Sequence, residues 1–203
     1  QANTIAAFTS GVVTATLSDG DMATLAGLNE TGNAYSITIT DNSVAAAALN
    51  TLNGKTTVAV NASNITTLTG AAADLNTAYA SGGISGLNNE AVTLSDSTLA
   101  ASVLNTLDGH TSGVINASSI NTLTGTAADL NTAYASGGIS GLNNEAVTLS
   151  DSSLVASVLN TLDGHTSGVI NASSINSFSG SAADLIPAYA ANGSGITGLG
   201  NEA

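Results

Sequence analysis

Two histidines each follow an aspartate by two residues, in Asp108-Gly109-His110 and Asp163-Gly164-His165. An Asp–His pair is the orienting half of a nucleophilic hydrolase, and imidazole with carboxylates is also a metal-ligand set. The same position one copy earlier holds Lys55, with Asn53 two residues before it. That replacement suits a solvated turn that tolerates any polar side chain, and no nucleophile or oxyanion donor is marked nearby. Asp19-Gly20-Asp21 opens like a calcium loop but lacks the further spaced oxygen ligands and closing Glu, and reads as a turn. Gly137-Gly138-Ile139-Ser140-Gly141-Leu142 follows a helical stretch instead of leading into one, so it lacks the context of a phosphate cradle. Asn61-Ala62-Ser63, Asn116-Ala117-Ser118 and Asn171-Ala172-Ser173 match glycosylation acceptors but fall at strand ends.

The carboxylates recur without converging. Asp41, Asp96 and Asp151 end strands and open helices, where they serve as N-caps; Asp74, Asp129 and Asp184 fall in first helical turns, where the macrodipole favours negative charge. Glu90, Glu145 and Glu202 precede strands and are expected to stay solvated. A paired-carboxylate hydrolase needs two unequal environments facing one cleft, whereas repetition supplies equal ones. The expectation is a protein that is not an enzyme, with no catalytic residue, no metal ligand and no cofactor beyond non-specific calcium bridging of its carboxylates.

Composition narrows the classes further. A net charge of -13 with Lys55 as the one basic residue leaves nothing to neutralise phosphates, which excludes nucleic-acid partners and docking on anionic membranes. There is no cysteine, hence no disulfide and no thiolate metal site. The longest apolar run, Val44 to Leu49, is far short of the roughly 20 residues of a membrane span. No signal peptide is visible, and a start at Gln1 suggests a processed product. With 43% hydrophobic but only 3% aromatic residues, the core must be built from Ala, Val, Leu and Ile.

What positions these residues is a repeat. Ala91-Val92-Thr93-Leu94-Ser95-Asp96 returns as Ala146-Val147-Thr148-Leu149-Ser150-Asp151, a period of 55, and Leu104 to His110 returns as Leu159 to His165. Tyr35 to Asp41 and Leu49 to Lys55 are a more diverged earlier copy. Each period holds two strand-then-helix units. The first runs from Val92 through a helix over Thr98 to Leu107, with Asp96 as its N-cap and Gly109 as a left-handed stop. The second runs from Val114 to a helix over Thr126 to Ser136, with capping-box spacing at Thr126 and Asp129, repeated at Ser181 and Asp184 and lost at Ala71.

Strands are therefore expected to begin near Val12, Ser36, Val58, Val92, Val114, Val147 and Val169, at alternating spacings of 22 and 33. The fold expected is α/β, a right-handed βα solenoid of about seven coils with a parallel sheet on one face and helices on the other. The alternative is a three-sided parallel β-helix with an extra strand hidden around Leu130 to Ala135. Residues 1–10 form an N-terminal edge-covering or donor segment, and residues 11–203 form one repeat solenoid divided at 36–90, 91–145 and 146–203. If Val13, Ala15, Leu17, Ile37, Ile39, Val92 and Leu94 face inward, strand alternation exposes Thr14, Thr16, Thr38, Thr40, Thr93, Ser95, Thr148 and Ser150 as a surface-contact ladder.

Leu17 to Leu28, Ala100 to Gly109 and Thr122 to Leu130 resemble the tandem repeats of giant secreted surface proteins of marine bacteria, especially cyanobacteria. The resemblance covers nearly all of Gly11 to Ala203 and implies a secreted, extracellular or cell-surface location. It implies a structural role as adhesive stalk, spacer, or self-assembling filament, surface-layer or matrix subunit. The calcium nonapeptides that often accompany such repeats are missing here. Ala203 ends where the next strand would begin, so the expected partner is a second copy stacked end to end, or neighbouring repeats of a longer chain. The alternatives are an ice-binding or flat-surface-binding module using the Thr/Ser ladder and, more remotely, a secreted hydrolase.

Overall fold

Strands this short cannot hold together by themselves, and in the computed structural model, which describes residues 1–200 and Glu202, they pair only in parallel with strands of other passes of the chain. The last expected boundary, Ala203, lies outside the described residues. Contacts divide the chain into two units, residues 1–93 with 109–114 and residues 94–108 with 115–203.

The first unit contains α1 (Ala2–Ala6), β1 (Thr14–Thr16), α2 (Met22–Leu25), β2 (Ala34–Ser36), β3 (Ser43–Ala45), α3 (Ala46–Asn53), β4 (Val60–Asn61), β5 (Thr67–Gly70), α4 (Ala72–Ala80), β6 (Ile84–Ser85) and all but the last residue of β7 (Ala91–Leu94). β1 pairs with β2, β3 with β5, and β4 with β6. The second unit contains β8 (Thr98–Ala100), α5 (Ala101–Asp108), β9 (Ile115–Asn116), β10 (Thr122–Gly125), α6 (Ala127–Ala135), β11 (Ile139–Ser140), β12 (Ala146–Leu149), β13 (Ser153–Val155), α7 (Ala156–Asp163), β14 (Ile170–Asn171), β15 (Ser177–Ser179), α8 (Ala182–Ala191) and β16 (Ile196–Thr197). Its main sheet is five parallel strands in the order β8-β10-β12-β14-β16, beside the pairs β9–β11 and β13–β15. Mixed α/β structure, parallel sheets and a solenoid-like βα repeat are thus present as the sequence pattern requires. Leu130 to Ala135 is helical, within α6, so the extra strand of the three-sided alternative does not form there.

The spacing differs from expectation. Hydrogen-bonded partners lie 24 residues apart where Thr98 meets Thr122 and where Thr122 meets Ala146. The sequence repeats every 55, which is twice 24 with 7 left over, and 7 is the step from Ala146 to Ser153 between neighbouring strands of one pass. Equivalent residues one repeat apart therefore fall in neighbouring sheets: β8 belongs to the five-stranded sheet, and its counterpart β13 to the pair with β15. The strands β8 and β13 run straight into α5 and α7, which shortens both helices relative to the stretch their apolar spacing suggests.

Small side chains fill the interior. Ala101, Leu104 and Leu107 of α5, Ala127 and Leu130 of α6, and Leu123 of β10 are fully buried. Ala at these helix positions lets backbones approach, and an Asn on each first-type helix uses that proximity. Asn50, Asn105 and Asn160 each donate Nδ2 to the carbonyl of Asp74, Asp129 and Asp184 on the next helix, at 2.9, 2.9 and 2.8 Å.

Helix ends follow the sequence in part. Thr126 Oγ1 accepts from the Asp129 amide and donates to its carboxylate, and Ser181 does the same with Asp184. Ala71 gives α4 no side-chain cap. Ala71→Thr should therefore raise the stability of the first unit by about 0.5–2 kcal/mol; an unchanged urea midpoint would contradict this. The expected caps at Asp41 and Asp151 act on other helices than expected. Asp151 accepts from Ala127 N of α6 at 2.7 Å, and Asp41 from Met22 N of α2 at 2.8 Å, each reaching back to an earlier helix. The residues in the N-cap positions of α3 and α7 are Ala45 and Val155, whose side chains cannot cap. Gly109 is not in the left-handed region, and its counterparts Gly54 and Gly164 have φ of -69° and -72°. Glycine is required instead at Gly141, with φ of +86°, where a Cβ would stand 2.8 Å from Ser118 N.

Candidate functional site

The polar residues that the fold gathers most tightly are those expected to be solvated. Glu145 is 2% exposed and Glu90 1% exposed. Asn143-Asn144-Glu145 crosses between β11 and β12 without regular structure, so its amides have no strand or helix partner of their own. The glutamate turns back to supply one: Asn143 N donates to both carboxylate oxygens at 2.9 and 2.8 Å, and Tyr134 OH donates to Oε2 at 3.1 Å. Thr166, also buried, donates Oγ1 to the Glu145 carbonyl at 3.4 Å and accepts from Gly168 N at 2.9 Å.

The first unit repeats the arrangement. Asn88 N donates to Glu90 at 3.0 and 2.9 Å, Tyr79 OH to Glu90 at 3.1 Å, and Thr111 Oγ1 to the Glu90 carbonyl at 2.9 Å. A third, more exposed version joins Gly200 N and Tyr189 OH to Glu202. In the earliest copy a buried Tyr35 stands where the glutamate does, still held by Thr56, which accepts from its amide and donates to its carbonyl. Its hydroxyl is buried without a partner among the described residues.

The histidines take a place in the same nodes. His110 stacks on Tyr79 at 5.8 Å and 6°, and His165 on Tyr134 at 6.0 Å and 4°. Asp108 is engaged elsewhere, accepting from Ser136 Oγ at 2.7 Å. Among the described residues, no group of three or more His, Asp or Glu side chains converges as a metal site would require. Asp19 and Asp21 form a local turn in which Asp21 caps α2 through Ala23 N. Asn61, Asn116 and Asn171 close turns onto the amides of Ser63, Ser118 and Ser173.

Burial pushes the Tyr79 and Tyr134 hydroxyls well above the usual tyrosine range; the Thr111 and Thr166 hydroxyls oppose this, and the adjacent Glu90 and Glu145 charges add to it. The folded state thus keeps protons that the unfolded chain releases near pH 10. Stability contributed by these phenols is complete below pH 10 and is lost as pH rises above it. Thermal midpoints should fall steeply above pH 10, and the slope should flatten in a Tyr79→Phe, Tyr134→Phe variant. An equally steep fall in that variant would contradict the assignment.

All eight residues of the expected contact ladder are exposed. They do not stack on one another. Thr148 has Thr124 and Asn171 beside it, and Asn171 has Thr197. Thr14 and Thr16 face Ala34 and Ser36, and Thr38 bridges to Asn61. Thr93 and Thr148 lie in different sheets. The 24-residue pairing register separates positions that the 55-residue repeat makes look adjacent.

What sequence reading missed are Tyr79 and Tyr134, Thr111 and Thr166, and the bridging Asn50, Asn105 and Asn160. Their signal is recurrence at 55 of polar residues inside otherwise apolar stretches. Comparison with protein-family models, curated proteins and solved structures finds no match to this chain. Among the described residues, no helix is long and apolar enough to cross a membrane.

Proposed function

We propose that the chain is a structural repeat module of a secreted or cell-surface protein, serving as stalk, spacer or self-assembling filament or matrix subunit. The observation that carries this reading is where the polar side chains go. Glu90, Glu145, Asp41, Asp151 and the bridging asparagines spend their hydrogen bonds holding one pass of the chain to another or closing the connections between passes. A fold that uses its carboxylates this way lengthens by adding passes without assembling a unique cleft. The acidic surface, at a net charge of -13, keeps laterally adjacent copies apart. The extracellular placement rests on the resemblance to repeats of secreted surface proteins. A flat Thr/Ser ladder for ice binding is the less favoured reading, because Asn171 breaks the row beside Thr148.

Sedimentation velocity across a wide concentration range tests the reading. The weight-average coefficient should rise with concentration and pass the dimer value. A coefficient that stays at the monomer value at the highest concentrations would count against assembly.

A further inference from the structure

The geometry points to a small-molecule site between α2 and α3 that takes a single-ring aromatic carboxylate, its anionic group held by Lys55. The site goes beyond the structural role above and does not depend on it, because it sits where the repeat departs from its own pattern. An open groove of about 260 Å³ lies between the two helices, walled by Met22 and Leu25 of α2 and by Ala48, Thr51 and Leu52 of α3, with Lys55 beside them. Leu25 and Leu52 are buried, and Thr51 spends its hydroxyl on the Ala47 carbonyl at 2.8 Å, so the walls are apolar. A volume below the roughly 300–1,000 Å³ of drug-sized pockets suits one ring.

Later copies of the repeat fill the equivalent place with a ring of their own. Ala48, Thr51, Leu52 and Lys55 precede Val103, Thr106, Leu107 and His110 by one period of 55. His110 carries the ring of Tyr79 from α4, stacked at 5.8 Å, and His165 that of Tyr134 from α6, at 6.0 Å. α2 has four residues where α4 and α6 have nine, and it holds no aromatic. The residue one period before Tyr79 is Thr24. The wall that ends in Lys55 therefore lacks the ring that its later counterparts hold, and the groove is the space left. Its chemistry also changes, because histidine is replaced by the one Lys or Arg of the chain. Lys55 is half-buried, and its Nζ donates to the Asn29 carbonyl at 3.2 Å. That bond uses one of the three ammonium donors and leaves two for an anion. Among the described residues, no carboxylate lines the groove. Asp41, which accepts from Met22 N, lies at the start of α2, and Asn29 lies beyond its end. A ring bearing a carboxylate is thus oriented with its apolar face on Leu25 and Leu52 and its oxygens toward Lys55, where a charge-assisted hydrogen bond forms.

Benzoate is the probe, with benzamide as its uncharged analogue, titrated into the whole chain and followed by amide proton–nitrogen NMR spectra. Benzoate should give saturable shifts centred on α2 and α3 and should bind more tightly than benzamide. Lys55→Met keeps the apolar stem and removes the charge; it should weaken benzoate about tenfold or more and leave benzamide unchanged. Ala48→Leu, which fills the groove, should abolish the binding of both. Circular dichroism verifies that each variant is folded. Shifts that do not saturate or that centre elsewhere overturn the site. Benzamide binding the unsubstituted chain as tightly as benzoate, or benzoate binding Lys55→Met undiminished, overturns the role of Lys55 and with it the choice of an anionic ligand.

Discussion

Glu145→Ala should destabilise the second unit by about 3–6 kcal/mol, because it removes two hydrogen bonds to a charged acceptor, each worth roughly 1.5–3 kcal/mol. Asn143 N and Tyr134 OH would be left in a site that is 2% exposed at the glutamate. That loss is comparable to the whole stability of many domains, about 5–15 kcal/mol. Glu145→Gln keeps an acceptor oxygen and should cost less, and Tyr134→Phe removes only one of the bonds. Urea denaturation monitored by circular dichroism measures all three. Equal midpoints for Glu145→Ala and the unsubstituted chain would show that the carboxylate is not the staple described.

Leu104→Ala should cost about 2–5 kcal/mol through lost burial and the cavity left behind, since Leu104 is fully buried between α5 and its neighbours. The pattern of damage distinguishes a repeat from a globule. Passes of the chain contact chiefly their neighbours, so hydrogen exchange should accelerate in α5, α6 and β10 and leave α8 and β16 near their original protection. Uniform loss of protection from residue 94 to residue 200 would mean a single cooperative core instead.

Local chemistry was readable in the sequence, and pairing was not. The α6 helix and its Thr126–Asp129 cap depend on residues three apart, and they stand where the spacing places them. Strand alternation likewise exposes Thr148 and buries Val147. β8 was hidden because Leu99, Val103 and Leu104 have helical spacing, and only pairing with β10 holds Thr98 to Ala100 extended. Glu90 looked solvated because its sequence neighbours are Asn88 and Asn89, whereas the tyrosine that receives it is Tyr79 on the preceding helix. Asp151 was assigned to its own helix because a cap is normally local, yet the 24-residue register delivers it to Ala127. A repeat of 55 declares which residues are equivalent, and it is silent on which are neighbours.

Electron microscopy of the purified chain at rising protein concentration tests the central claim, that this is a structural module which extends by adding copies of itself. Unbranched polymers that lengthen with concentration are the expected result. Fields of separate single particles at every concentration, from protein with native circular dichroism, would contradict it.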